Sequence, residues 1–450
     1  MQKLLTIFVT VLCLIITTKA ISQESATDLK YRRSSLSMII IENKNLPNKD
    51  AVLSSWTNYP FPDKYNKHVT NLKSINIDNI KLSEQEIEAA NLKKEKLNNG
   101  LQAGKTLNNA TSNKLSSSAN SVAGKLPMEK TEYQMMIDKV ITSEKLANKL
   151  VASWFNRSPD GKFNMKLIQE RGFYNASEME AGIAKGQAKG LASLGDAGEE
   201  LLRNTFVTFT KLDFIENEPA ALKARDAAKK EIQESMTNSP KLLVDKALKG
   251  ADNAYDKAKE GYSLWSKTWL YQLKWNDSIA AIFYNDLWSN PKAFDNSNLF
   301  SLECVGVQYN QSLVTFKIGE KRTQEQIIDL ALVRNVDNAF AELQKENEVF
   351  RPKVPVLSAD PITAQIGMKE GLEGGEQFDV LEMVLNQKTG RTEYKVVGSA
   401  TVDKKIVWDN RYNAGDKSEV VLDKNGAPIT ATLFKGGKNI QPGMLLKQKR

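Results

Sequence analysis

Four glycines, Gly367, Gly371, Gly374 and Gly375, crowd the stretch "IGMKEGLEGGEQFDVLE" at 366–382, directly before an apolar run. Such clusters hold phosphates when they are spaced G-x-x-x-x-G-K-[ST], or G-x-G-x-x-G between a strand and a helix, because backbone N–H groups then converge on the anion. Neither spacing occurs here. The residues that follow, "EQFDVLEMVLN", "QKTG" and "RTEYKVVGSATV", pattern as a β-hairpin. The loop is expected to turn one strand into the next, with glycines supplying positive φ.

The single histidine, His68 in "NKHVTN", has no histidine or cysteine close to it in sequence. One imidazole cannot build a histidine-rich metal site, and a Ser-His-Asp arrangement has no other base to draw on. His68 is expected at the surface. Asp160 and Asn164 form a D-x-x-x-N fragment without the further acidic residues of a calcium loop. Ser266 and Lys267 are adjacent on a strand pattern and face opposite sides, so they do not form a nucleophile–base pair. No catalytic, cofactor-binding or metal-ligating residue is assigned, and the chain is read as not an enzyme.

Trp265, Trp269, Tyr271, Leu273 and Trp275 in "GYSLWSKTWLYQLKW" recur at period two, on one face of a strand. Trp265, Trp269 and Trp275 could stack sugar rings. The simpler expectation is a sheet face covered by helices, because aromatic side chains carry large buried areas in cores. Solvent exposure decides between the two.

The elements that must position these residues follow from patterning. "SSLSMIII" at 34–41 reads as a buried strand. The loop "NYPFPDKYNKH" carries Pro60 and Pro62 and is pinned to the core by Trp56, Tyr59, Phe61 and Tyr65. Helical spacing runs over 131–155, followed by a strand in "KFNMKLIQERG" with Phe163, Met165 and Leu167 on one face. A further helical segment breaks near Gly195 and Gly198. "NTFVTFTKLDFI" is a strand, 216–260 reads as solvated amphipathic helices, "FSLECVGVQ" and "SLVTFKI" as two strands, and 323–350 as a long helix. Cys304 is read as a small buried hydrophobe.

Two stretches depart from this pattern. Residues 82–128, Asn- and Ser-rich and without aromatics, read as a helical-to-disordered insertion. After "RPKVPV" the chain changes to β patterning punctuated by "NQKTG", "DKNGAP" and "FKGGKN". The expected organisation is a leader at 1–20, an α/β domain over 21–350 with insertions at 82–128 and 216–260, and a small all-β domain over 355–450.

The opening "MQKLLTIFVTVLCLIITTKA" combines Lys3, an apolar stretch and small residues closing at Ala20, the pattern of a secretory leader. Cleavage there leaves Cys304 alone, so no internal disulfide is expected. The formal charge of +8 is spread over 62 basic and 54 acidic residues. That is a mildly basic solvated surface, not the concentrated stripe of a nucleic-acid binder. Past the leader no segment is apolar enough for a membrane span.

The order of "SLSMIII", a helix, "KLIQERGFYNASEMEAG" at 166–182, "NTFVTFTKLDF", "YSLWSKTWLYQLKW", "FSLECVGV" and a final helix resembles the α/β domain shared by the TolB amino-terminal domain and the curli secretion-channel subunit. The terminal "AQIGMKEGLEGGEQFDVLE…TGRTEYKVVGSATVDKKIVWD…FKGGKNIQPGMLLK" resembles the carboxy-terminal β-module of flagellar assembly protein T. Overall the chain is similar to secreted bacterial proteins. The resemblance implies a TolB-like mixed sheet with flanking helices, an α+β or α/β class, and an envelope-assembly role. It carries over no catalytic residue and no cofactor.

These readings give an exported, non-catalytic protein of the periplasm or outer-membrane periphery that binds other envelope proteins. Its contact loops are "GLEGGEQF", with Glu373 and Gly374, and "NYPFPDKY", with Lys64. The alternative is a carbohydrate-binding protein or glycoside hydrolase using the aromatic strand 262–275.

Overall fold

The computed structural model describes residues 31–88 apart from 43, 45, 69, 71 and 79, then 132–174, 198–259, 262–313, 323–411 apart from 387, 389 and 390, and 428–449. The leader, most of the 82–128 insertion and the segment holding Gly195 lie outside them. The protein is a mixed α+β chain in which a mixed sheet with flanking helices precedes a closed all-antiparallel β-barrel.

The sheet has the order β2-β1-β4-β5-β6, with β3 also paired to β1. Strand β1 (Ser35–Glu42) is parallel to β2 (Asn66–Lys67), β3 (Ser74–Asn76) and β4 (Thr205–Glu216). From β4 the chain runs antiparallel through β5 (Tyr262–Leu273) to β6 (Leu302–Leu313). The apolar run of β1 exists because both of its faces are covered. Leu36 and Ile40 join Phe206, Leu212, Leu264 and Leu270 beneath helices α1 (Lys49–Asn58) and α9 (Gln324–Glu346). Ile39 and Ile41 join Val207, Phe209, Trp269 and Tyr271 beneath α2 (Glu132–Ser143) and α3 (Leu146–Trp154). Helices on both faces of one sheet make three layers.

Helix α9 starts at a capping box, with the Thr323 side chain accepting from Gln326 N–H and Gln326 returning to the Thr323 N–H. It buries Leu330, Val333, Val336, Phe340 and Leu343 against the sheet. Each such side chain contributes roughly 1.5–3 kcal/mol of transfer free energy.

Three expectations are corrected. The helix over 131–155 is two helices, α2 and α3, because Lys145 takes a left-handed φ of 47° between them. "KFNMKLIQERG" is not a strand: Lys166–Tyr174 is helix α4, opened by Asn164 Oδ1 accepting from Lys166 N–H at 3.0 Å. The alternation of Phe163, Met165 and Leu167 was real but short. Those three and the adjacent Ile168 all pack into one aromatic cluster with Phe155, Trp275, Phe283 and Phe294, which a strand could not do. "FSLECVGVQ" and the start of "SLVTFKI" form the single strand β6, which takes in Tyr309, Asn310 and Gln311; its pairing slips by one residue at Val305.

Helices α5 (Glu218–Ser235) and α6 (Lys241–Ala258) fill the 216–260 stretch as amphipathic helices; α5 buries only Ala221 and α6 buries nothing. Short helices α7 (Asp277–Ile282) and α8 (Pro291–Asn296) close the aromatic cluster.

The barrel begins at Lys353, slightly ahead of the expected 355. Its strands are β7 (Lys353–Ala359), β8 (Ile362–Ala364), β9 (Gln377–Asn386), β10 (Arg391–Val402), β11 (Thr432–Gly436) and β12 (Leu445–Gln448). They close in the order β10-β11-β8-β7-β12-β9 around Val356, Phe378, Val380, Ala400, Phe434 and Leu446. Closure leaves no strand edge exposed along the ring.

Candidate functional site

The two loops singled out by sequence meet on the carboxy-terminal half of α9. Pro60 and Pro62 end α1 and throw the chain across that helix, where the Tyr59 hydroxyl donates to Asp337 Oδ1 at 2.5 Å and the Tyr65 hydroxyl donates to Phe350 O at 2.6 Å. From the barrel side, the short turn Met368–Glu370 brings Lys369 Nζ to 3.8 Å from Asp337 Oδ1 and over the Tyr59 ring. Glu370, buried beside it, accepts from Gly367 N–H and Asn410 Nδ2, both at 2.9 Å. Burial pushes the Asp337 carboxyl above its ordinary value, against the pull of Lys369 and Tyr59. Burial also pushes the Tyr59 phenol well up, helped by Asp337. These groups satisfy one another in a compact polar joint that locks the barrel to the sheet domain.

The glycine loop behaves as a turn between β8 and β9. Gly371, Gly374 and Gly375 have φ of 77°, 110° and 102°. The N–H groups that a phosphate would need are already engaged: Glu373 N–H donates to Glu376 Oε1 and Gly374 N–H to Glu376 Oε2, both at 2.9 Å. The chain's own carboxylate fills that position. Of the residues proposed as contacts, Glu373 is exposed and Gly374 half-buried. Lys64 is folded down, its side chain 9% exposed and paired with Asp63 at 2.7 Å. The expected core-pinning residues are as read: Trp56, Tyr59 and Tyr65 are buried, with Phe61 packed against them.

His68 is not at the surface. It is 1% exposed, because β2 adds Asn66–Lys67 to β1 and the next residue turns inward beneath α3. Its ring stacks on Trp154 with centroids 4.6 Å apart. Nε2 lies 3.0 Å from Leu150 O and so donates, which leaves Nδ1 to accept from Arg171 Nη1 at 3.2 Å. Burial holds its pKa down at about 3, with the Arg171 charge adding to the effect, so the ring is neutral at pH 7. The sequence offers little signal for this, because "YNKHVTN" is mostly polar and the burial comes from the pairing of Asn66–Lys67 to β1.

The aromatic strand divides along its length. Trp269 is 0% and Trp275 5% exposed, the first under α2 and the second in the aromatic cluster where its Nε1 donates to Glu199 at 2.6 Å. Tyr271 and Leu273 are likewise buried, so a stacking platform of all three tryptophans is not present. Trp265 remains 46% exposed beyond the end of α2, in register with Asp213 on β4 and Gln311 on β6. Beside it Tyr309 is 64% exposed and receives Lys267 Nζ 4.7 Å above its ring. Cys304 is half-buried against the α2 face of the sheet.

Sequence reasoning missed the edge this patch belongs to. Among the described residues no strand pairs with the outer side of β6. From Val305 to Leu313 that strand, "VGVQYNQSL", contains no charge and no proline. Among the described residues no group of three or more His, Cys, Asp or Glu side chains is placed to hold a metal ion, and no helix is long and apolar enough to cross a membrane. No protein-family model and no curated protein matches the chain.

Proposed function

We propose that this chain is an exported, non-catalytic binding protein of the cell envelope that takes up an extended segment of another polypeptide along β6. The observation that carries this reading is the outer edge of β6, which among the described residues has no strand partner and from Val305 to Leu313 carries no charge and no proline. Edge strands present a row of N–H and C=O groups to any chain that can pair with them, and proteins ordinarily blunt them with lysines, prolines or a covering element. Here the slip at Val305 disturbs only one end. Strand addition supplies affinity through the backbone and specificity through alternate side chains. On β6 those are Val307, Tyr309 and Gln311 on one face; the other face lies against α9, where Asn335 Nδ2 donates to Ser312 Oγ at 3.2 Å. The rigid joint at Asp337 and Lys369 suits a scaffold, and the leader-like opening supports export.

The test is photo-crosslinking in living cells with a probe in place of Gln311, beside a control probe on α6. Adducts to a discrete protein from position 311, absent from the control, support the reading. Uncrosslinked protein only, from cells in which it is exported and folded, overturns it.

A glycan-binding reading rests on Trp265 and Tyr309, whose exposed rings flank Lys267. Retention of the purified protein on insoluble envelope polysaccharide, lost in Trp265→Ala, would favour it over strand addition.

A further inference from the structure

We propose that a cleft at the seam between the sheet domain and the barrel binds a small phosphate-type dianion. The cleft has a volume of about 230 Å³ and is walled by Tyr31, Arg33 and Ser34 ahead of β1, Lys64 of the proline loop, Asn204 just before β4, residues 348, 349 and 351–353 leading into the barrel, and Lys447 of β12. Five of its walls are cations, Arg33, Lys64, Arg351, Lys353 and Lys447, against one lining carboxylate, Glu348.

The cations are held in place. Glu200 anchors Lys353 at 2.9 Å and Arg33 at 3.8 Å, Glu348 anchors Lys447 at 2.7 Å, and Asp63 anchors Lys64. Arg351 donates to Gln344 O, Lys345 O and Gln448 O at 3.0, 2.7 and 3.2 Å, so its guanidinium is fixed where helix α9 ends. Arg33 is itself 7% exposed. Gathering like charges in a partly desolvated space is unfavourable unless an anion enters, and positioned donors lose little entropy when one does. Glu200 and Asp63, neither of them in the lining, and Glu348 within it offset part of the charge, and the five cations outnumber these three carboxylates.

The volume limits the ligand. It lies below the range usual for drug-sized molecules and suits a phosphate with a few carbons attached. A dianion offers more acceptor oxygens to the lysine and arginine donors than a carboxylate does. The shared chemistry is a phosphate dianion, whether inorganic phosphate, a soluble monoester or a monoester lipid headgroup.

The test is calorimetric titration of the full exported chain with inorganic phosphate and with glycerol phosphate, against chloride at matched ionic strength, together with flotation on vesicles containing phosphatidic acid. Saturable binding of a soluble phosphate supports a small-molecule site, and flotation without soluble binding assigns the same cleft to a headgroup. Lys64→Gln and Lys447→Gln should each weaken binding about tenfold, as loss of one charged hydrogen bond predicts, with unfolding midpoints near that of the parent. Two variants guard against one that misfolds. The proposal is overturned if neither phosphate nor vesicles bind above the chloride control, or if both folded variants bind as the parent does.

Discussion

The imidazole of His68 lies against the indole of Trp154 at 4.6 Å between centroids, and the Arg171 guanidinium reaches both rings, over Trp154 at 4.8 Å and to His68 Nδ1 at 3.2 Å. Trp154 Nε1 in turn donates to Thr205 Oγ1 at 2.9 Å, so the stack ties the loop after β2 and α3 to the first residue of β4.

The neutral ring sets a pH dependence. The folded pKa of about 3 lies below the ordinary 6.5, so the unfolded chain binds a proton that the folded chain refuses in this window. Stability is full above pH 6.5 and falls as pH drops toward 3, with a slope of about 1.4 kcal/mol per pH unit from this group. Urea unfolding at pH 7, 5.5 and 4.5 should show that fall, and His68→Phe should lack this component of the slope. Equal slopes in the two proteins would contradict the buried neutral imidazole.

Tyr59→Phe removes the donor to a buried carboxylate and leaves Asp337 with Lys369. A loss of about 1–3 kcal/mol is expected. Because Tyr59 and Lys369 share Asp337, the double variant with Lys369→Met should not be additive. Unfolding midpoints of the two single variants and the double variant test this, and simple additivity would deny the joint.

Trp265 and Trp269 lie on the same strand, β5, and should respond in opposite ways. Trp269→Ala empties a core position and should cost about 3–5 kcal/mol. Trp265→Ala should stay within about 0.5 kcal/mol of the parent while removing most of the iodide-quenchable fluorescence. Comparable losses of stability would mean that the β5 face is covered along its whole length.

Two glycines offer a matched contrast. A Cβ at Gly374, φ +110°, would lie 2.8 Å from Lys404 Cα, and Gly374→Ala should destabilise by about 1–3 kcal/mol. Gly250 sits inside α6, where an added Cβ would meet nothing within 4 Å, and Gly250→Ala should stabilise by about 0.5–1 kcal/mol. Thermal unfolding of both reads out the sign, and a reversed order would refute the conformations assigned.

Sequence patterning placed most of the sheet and its longest helix, although the long helical spacing over 131–155 hid the break at Lys145. β1, β4, β5 and α9 follow from their apolar spacing, and the all-β character of the carboxy-terminal region from its turn chemistry. It failed at short segments whose side chains answer to tertiary packing. Phe163, Met165 and Leu167 alternate like a strand yet converge on the same aromatic cluster as the helix that follows. His68 reads as polar, and only the pairing of Asn66–Lys67 to β1 carries it into the core. The charged cleft was invisible because its walls come from residues 31, 33, 34, 64, 204, 348, 349, 351–353 and 447, far apart in the chain. The edge of β6, unpaired among the described residues, required knowing which strand lies last.

Glu216 at the end of β4 is directly opposite Tyr262 at the start of β5, so the whole α5–α6 excursion leaves and re-enters the sheet at a point that a tight hairpin turn could span. The body of the fold is therefore indifferent to what is spliced there. Each helix has 18 residues, a reach of about 27 Å at 1.5 Å per residue. The excursion amounts to a detachable mast: trimmed to two residues it would leave the sheet standing, and lengthened by whole turns it would carry its exposed tip leucines, Leu242 and Leu243, farther out without disturbing the core beneath.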